Sequence, residues 1–343
     1  MERKLASVQT ILEVSPIANS DNLEVATVLG WHVVVKKGEF IAGDKCVYCE
    51  VDSVLPDKPE FEFMRARKFR VKTIKLRGQV SQGIAFPLSV LHEQVFPEDG
   101  LDVTELMGVK QFEIVVPACL RGKVKGGFPG FLRKTDEMRI QSVPGFLDRH
   151  RDKTFYATEK LDGTSMTIYF SGDAKHHDGP FGVCSRNLEL VKDDNVAYWK
   201  AVAENNLYEK ILKVCDILQG PVAIQGELVG PGIQGNKYGL DKLRFFVFNI
   251  YDIGSGQYIN GAIAHQMCKD VGLDFVPVVL DIFAFPLSVD MCVEFAKGTS
   301  ALNPKVMREG IVLRCASEDY QDEETGRLSV KAINPDFLLK YEE

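Results

Sequence analysis

Glu159-Lys160-Leu161-Asp162-Gly163-Thr164-Ser165 puts a lysine at the end of an apolar run and follows it with an Asp-Gly turn. A free lysine, with a pKa of about 10.4, is protonated at neutral pH and is a poor nucleophile. Beside other cations or a metal its ammonium form is disfavoured, and the amine becomes able to attack an electrophile. Taken alone, the string also fits a surface lysine in a hairpin turn. It does not stand alone. Downstream, in order, come Ser185-Arg186, Gly226-Glu227, Phe245-Phe246-Val247-Phe248-Asn249, Glu309-Gly310-Ile311-Val312 and Val330-Lys331. Each starts or ends an apolar run, so folded strands could bring all of them to one pocket.

The residue types suit a metal–nucleotide pocket. Lys331 offers a second cation to neutralise an α-phosphate and to help lower the pKa of Lys160. Gly163 lets the chain turn tightly next to a ligand. Glu227 ends one strand and Glu309 precedes another, and Mg²⁺ is held through one or two carboxylates while keeping most of its waters. Phe248 fits either a core aromatic or a purine-stacking platform, the latter worth about 1–3 kcal/mol per base. Arg186 is a planar bidentate donor for a phosphate. Gly230-Pro231-Gly232-Ile233-Gln234-Gly235 matches a dinucleotide-binding glycine pattern, but the chain runs on into a strand instead of opening a helix, which excludes that reading.

These residues need elements to carry them. With 343 residues, 45% hydrophobic and 26% charged, the chain is long enough for two soluble domains. It lacks an apolar run of membrane-spanning length and a signal-peptide core at its N-terminus, so an intracellular protein is expected. The eight cysteines are scattered, and only Cys46-Val47-Tyr48-Cys49 has ligand-like spacing. On a strand those two sulfurs point to opposite faces, so buried free thiols are expected. Residues 1–110 read as short strands: Glu24–Leu29, Trp31–Lys36, Cys46–Val51, Arg70–Leu76 and Gly83–Pro87. That number of strands in that length predicts a small OB-type β-barrel. The net charge is −7, yet residues 65–77 carry seven basic residues and no acidic one. Read as a strand, this segment is either a charge-protected edge or a phosphate-tracking face built from Arg70, Lys72, Lys75 and Arg77, with Phe69 among the cations. Residues 111–150 read as a connector. Residues 151–343 alternate strands with the helices Asp194–Glu204, Tyr208–Gln219, Gly261–Val271 and Val289–Ala296, an α+β pattern of antiparallel sheets flanked by helices.

The ordered motifs resemble those of the covalent nucleotidyltransferase superfamily, which comprises RNA ligases, DNA ligases and mRNA capping enzymes. The stretch from Gly226-Glu227-Leu228-Val229-Gly230-Pro231-Gly232-Ile233-Gln234 to Phe245-Phe246-Val247-Phe248-Asn249-Ile250 is similar to ATP-dependent RNA ligases of the RNA ligase 2 kind. The order, basic OB domain first, resembles the RNA ligase 5 group. The resemblance implies an adenylyltransferase (ATP-grasp-like ligase) domain after the barrel. It implies an ATP-dependent enzyme that uses Mg²⁺ or Mn²⁺ and seals RNA 3′-OH and 5′-phosphate ends, expected as a monomer. Lys160 would become lysyl-AMP, and Glu159 beside it would belong to the nucleotide site. Asp162 and Glu309 would hold the metal, and Arg186 would contact the RNA 5′-phosphate. Glu227 would contact the ribose, Phe248 would stack on adenine, and Lys331 would grip the α-phosphate. Arg139 would reach the β- and γ-phosphates or would be a salt-bridged linker residue. Two positions depart from the family pattern: Ile333 stands where a second lysine is usual, so that Lys340 or a lysine outside the motif takes that role or the second lysine is dispensable, and Asn249 stands where aspartate is usual. A DNA ligase, a capping guanylyltransferase and a catalytically silent RNA-binding protein are the competing readings.

Overall fold

The computed structural model describes residues 3–92, 96–112, 120, 122–172, 180–284, 288–316 and 321–341. Part of the expected connector, with Cys119, lies outside the described residues.

The N-terminal unit is built on β1 (Ala6–Pro16), β2 (Leu23–Val28), β3 (Trp31–Lys36), β4 (Lys45–Cys49), β5 (Ser53–Val54), β6 (Ile74–Leu76), β7 (Gln79–Ser81), β8 (Ile84–Pro87) and β9 (Lys110–Gln111). The main sheet runs β3-β2-β1-β4-β8, with β5-β9 and β6-β7 as two-stranded ribbons. Long β1 serves two neighbours: Ala6–Thr10 pair with β4 and Ile11–Pro16 with β2, with a bulge at Ile11/Glu13. A bulge bends and twists a strand, which curls this sheet into an OB-type half-barrel. Cys46 and Cys49 are buried free thiols packed into separate apolar clusters, as the alternation of the strand dictates. Burial pushes the Cys46 thiol up to about 12.

The basic segment does not form the continuous strand expected over Arg70–Leu76. Pro59–Arg67 is a 3₁₀ helix that begins at Pro59. Lys68 and Phe69 follow in the left-handed region, at φ 51° and 60°. Only Ile74–Leu76 is strand, and Arg77-Gly78 turns it back through two positive-φ residues, as a type I′ hairpin requires. Alternating charges imitated a strand, whereas the left-handed turn at Lys68-Phe69 leads out of the helix and the strand begins only at Ile74.

The second unit holds β10 (Val124–Gly127), β11 (Met138–Arg139), β12 (Thr154–Lys160), β13 (Thr164–Phe170), β14 (Phe181–Cys184), β15 (Leu188–Leu190), β16 (Val222–Val229), β17 (Arg244–Asp252), β18 (Gln257–Tyr258), β19 (Asp274–Phe275), β20 (Val278–Ala284), β21 (Gly310–Cys315) and β22 (Ser329–Ile333). They form two sheets. One runs β10-β15-β14-β13-β16-β17-β18, with β19 beside β17; the other runs β11-β22-β21-β12-β20. In chain order the helices are α1 (Thr104–Met107), α2 (Gly145–Arg149), α3 (Ala197–Glu204), α4 (Leu207–Leu218), α5 (Gly261–Val271), α6 (Val289–Ala296) and α7 (Pro335–Tyr341). Helix α4 buries Leu207, Ile211 and Val214, one face at helical spacing, against the larger sheet. Helix α5 starts where the Asn260 side chain accepts the Ala262 N–H (2.9 Å) and stops at Gly272, which is left-handed at φ 74°. Among the described residues no helix is long and apolar enough to cross a membrane.

Asp322 pins the smaller sheet's periphery. Its carboxylate accepts from Arg149 Nε (3.0 Å), from His150 Nε2 (2.8 Å) and from the backbone N–H groups of Glu324 and Thr325. These bonds outweigh burial and hold its pKa below the ordinary carboxylate range. A depressed carboxylate stabilises above its unfolded pKa of about 3.9 and loses that contribution as pH falls toward the folded value. Asp322→Asn should cost about 2 kcal/mol at pH 7. The gap from wild type should close below about pH 4, which thermal melts across pH would measure.

Candidate active site

The chemistry-bearing residues meet in the cleft between the two sheets. Lys160 is the last residue of β12, and β12 pairs with β21 so that Lys160 lies opposite Gly310. Glu309 therefore stands beside it, with Nζ to Oε1 at 2.5 Å. Leu161-Asp162-Gly163 then carries the chain across to β13 in the other sheet. There Gly163 N–H donates to Glu227 Oε1 (3.2 Å). Gly163 is a glycine because of crowding: a Cβ there would sit 2.4 Å from the Leu228 carbonyl oxygen and 2.6 Å from Val229 Cγ1. Lys160 and Lys331 lie in the smaller sheet, with Glu309 immediately before its strand β21, while Glu227 and Phe248 lie in the larger one. In β17 the pairing skips from Gly226↔Val247 to Gln225↔Asn249, so Phe248 is the bulged residue. It packs near Leu161 and Phe246 instead of deep in the helix-covered core.

Asp162 is held from two sides. Its N–H donates to Tyr238 Oη (2.7 Å), and its carboxylate accepts from Lys237 Nζ. Lys237 Nζ also lies 5.7 Å and 5.4 Å from the rings of Phe337 and Tyr341 on α7. Ile333 is buried in the α7 cluster, and Lys340 is exposed at the far end of that helix. Lys237 is thus the cation that touches Asp162. The glycine stretch at 230–235 leads straight to it, but nothing local signals a contact 75 positions back in the chain.

Burial works against the charge on Lys160, but Glu309, then Glu227 and Asp162, outweigh it and raise its pKa. Burial drives Glu309 up, and drives Glu227 up to about 8. Lys331 moves the other way, down to about 7, first through burial and then through Lys160 and Arg139. The carboxylates around Lys160 thus favour its ammonium form, and the lowered pKa falls on Lys331. Arg139 is in register with Lys331 where β11 pairs with β22, and it also bonds Asp52 of the N-terminal unit at 3.3 Å.

Several of the residues singled out from the sequence sit apart from this cluster. Neighbours on a strand face opposite sides, and the Glu159 side chain is buried away from Lys160, accepting the Ala301 N–H (2.8 Å). Arg186 is exposed in the turn after β14 and pairs with Asp136 (2.5 Å). Arg70 turns inward to Asp52 (2.7 Å) and stacks on Phe112, whereas Lys75 and Arg77 are exposed. Asn249 is buried and accepts from Arg327 (2.7 Å).

An OB-fold domain model matches residues 5–88, and an RNA ligase family model matches residues 153–333, more than half of the chain. The chain belongs to the RNA ligase family. It is an enzyme of that class, and the family's substrate is RNA. Comparison with the curated proteins found no match. Among solved structures, a lysine-to-alanine mutant of the Naegleria gruberi RNA ligase with ATP and Mn is similar at 33% identity and TM-score 0.87, covering 99% of both chains. A glutamate-to-alanine mutant of the same ligase with AMP and Mn gives 34% and 0.85, again over 99% of both chains. The same ligase with pyrophosphate gives 33% and 0.84, with the same coverage.

The ligase site suits a divalent cation that brings its own phosphate and water ligands. Among the described residues no group of three or more metal-ligating side chains forms a closed cage. Glu309 Oε2 is nonetheless buried without a hydrogen-bond partner. One orphaned carboxylate oxygen near Asp162 is the open arrangement Mg²⁺ uses at phosphates.

Proposed function

We propose that this RNA ligase uses ATP and a divalent cation to seal 3′-OH and 5′-phosphate ends, at nicks in duplex RNA or RNA/DNA. The observation that carries this reading is Lys160 held against Glu309, with Glu227 and Lys331 flanking it from the two sheets. The Naegleria ligase, named above with ATP, AMP, pyrophosphate and Mn, supports it by similarity.

Lys160 attacks the α-phosphate, the N–P bond forms as the bond to pyrophosphate breaks, and lysyl-AMP results. The RNA 5′-phosphate then takes the AMP, and the RNA 3′-OH displaces it. Lys331 neutralises the α-phosphate, Phe248 stacks on adenine, and Glu227 meets the ribose. Arg186 receives the RNA 5′-phosphate by leaving Asp136. Positioning and charge neutralisation carry most of such catalysis. A divalent cation on Glu309 and Asp162, when bound, adds positive charge beside Nζ, which disfavours the ammonium and releases Lys160 from its carboxylates. The chain acts as a monomer in this reading.

The test is incubation with α-labelled ATP or GTP, followed by nicks with an RNA or a DNA 3′-OH strand. Label from ATP only, and sealing of RNA 3′-OH nicks, is the expected outcome. Label from GTP would indicate capping, DNA-only sealing a DNA ligase, and RNA binding with no label a silent fold.

Lys72, Lys75 and Arg77 of the basic segment should act after the first step, because only later steps need RNA. Replacing the three together with Gln should leave self-adenylylation within about two-fold, while the log–log salt slope of nick binding becomes shallower by about 2–3. Equal loss of adenylylation and sealing would make the segment structural.

A further inference from the structure

The turn after β4 joins the two units at the nucleotide cleft. Asp52 there bridges two guanidinium groups: Oδ1 accepts from Arg70 Nη2 (2.7 Å) and Oδ2 from Arg139 Nη2 (3.3 Å). Arg70 belongs to the OB unit, and Arg139 lies in the strand beside Lys331. Asp52 makes this bridge from the left-handed region, φ 70°, a strained conformation that persists only where its surroundings impose it. Its N–H donates to the Val71 carbonyl and its carbonyl accepts from Phe112, each at 2.8 Å. The neighbouring Glu50 ties Arg3 (2.7 Å) to Ser142 (2.7 Å), and Arg3 also donates to the Val51 carbonyl (2.6 Å).

Basic groups crowd this joint. Arg3, Arg70, Arg139 and Lys331 gather around Glu50 and Asp52, and Asp136 lies near Lys331. Arg139 Nη1 and Arg70 Nε are buried with no hydrogen-bond partner. A buried guanidinium N–H left unpaired is costly, and a polyphosphate entering past Lys331 would satisfy it. The bond from Asp52 to Arg139 is the longer of its two, so Arg139 is the arginine free to lean toward such a ligand while Arg70, stacked 3.8 Å over Phe112, keeps the carboxylate in place.

We propose that Asp52 is a positioning residue: it aims Arg139 at the terminal phosphates of the nucleotide and so couples the OB unit to the catalytic cleft. This rests on the reading of Lys160 as the nucleotide carrier. The test uses full-length protein in a Lys160→Ala background, which binds ATP without consuming it. Asp52→Gly removes the carboxylate and relieves the left-handed backbone, and a melting curve checks that the fold is retained. Asp52→Asn keeps the side-chain shape. Calorimetry with Mg²⁺ should show ATP binding about ten-fold weaker in both, the loss of one charged hydrogen bond, while AMP binding stays within about two-fold. Adding Arg139→Ala to Asp52→Gly should weaken ATP binding no further than Arg139→Ala alone. ATP and AMP weakened alike, no weakening at all, or multiplying effects would overturn the role of Asp52. Failure of the Lys160→Ala parent to bind ATP would overturn the nucleotide reading and the proposal with it.

Discussion

Labelled ATP should mark the wild-type chain and leave Lys160→Ala bare, a loss of at least about 10³-fold in adduct because no other group can take the nucleophile's part. Lys160 ends β12 at the cleft, and truncating it removes no core contact. It does leave Glu309 without its ion-pair partner, so a melting curve beside the adduct assay separates lost chemistry from lost fold. The variant should still join a nick whose 5′ end already carries AMP, because the remaining step is attack of the RNA 3′-OH on that phosphate. Adduct formation that survives the substitution, or loss of both activities together, would mean that Lys160 has been given the wrong role.

Glu309→Gln should move two measurements in opposite directions. Glu309 is the foremost of the carboxylates that raise the Lys160 pKa, so its removal lowers that pKa and leaves more free amine near neutral pH. An amine-acylating reagent should label Lys160 faster in Glu309→Gln than in wild type at the same pH. Enzymatic adenylylation should nevertheless fall by about 10²–10³-fold, the scale of losing one preorganised electrostatic partner. A bare amine is then shown to be insufficient without the charge that organises the phosphates. If both rates fell together, Glu309 would serve to place the lysine and not to govern its proton.

The cleft was legible in the sequence because each of its motifs is short, contiguous and attached to a strand end, so topology alone brings them together. Helices α5 and α6 were legible for a similar reason: Asn260, Gly272 and Ser288 are local cap signals. Lys237 and Asp52 were not, since their importance lies in partners 75 and 87 positions away, Asp162 and Arg139. The Glu159 side chain was readable in principle, because strand alternation turns it away from Lys160. The Lys160–Lys331 proton order was out of reach of motif reading. It depends on how closely Glu309 and Glu227 approach Nζ, which the order of motifs does not give.

The hand-over from one sheet to the other at Leu161–Gly163 gives the enzyme a modular character. In the proposed reading, base-facing groups ride on β16 and β17 and phosphate-facing groups on β12 and β22, with Leu161–Gly163 the shortest link that carries site residues from one sheet to the other. Purine preference could thus be re-engineered around Phe248 without disturbing the machinery that makes and breaks the phosphoramidate bond.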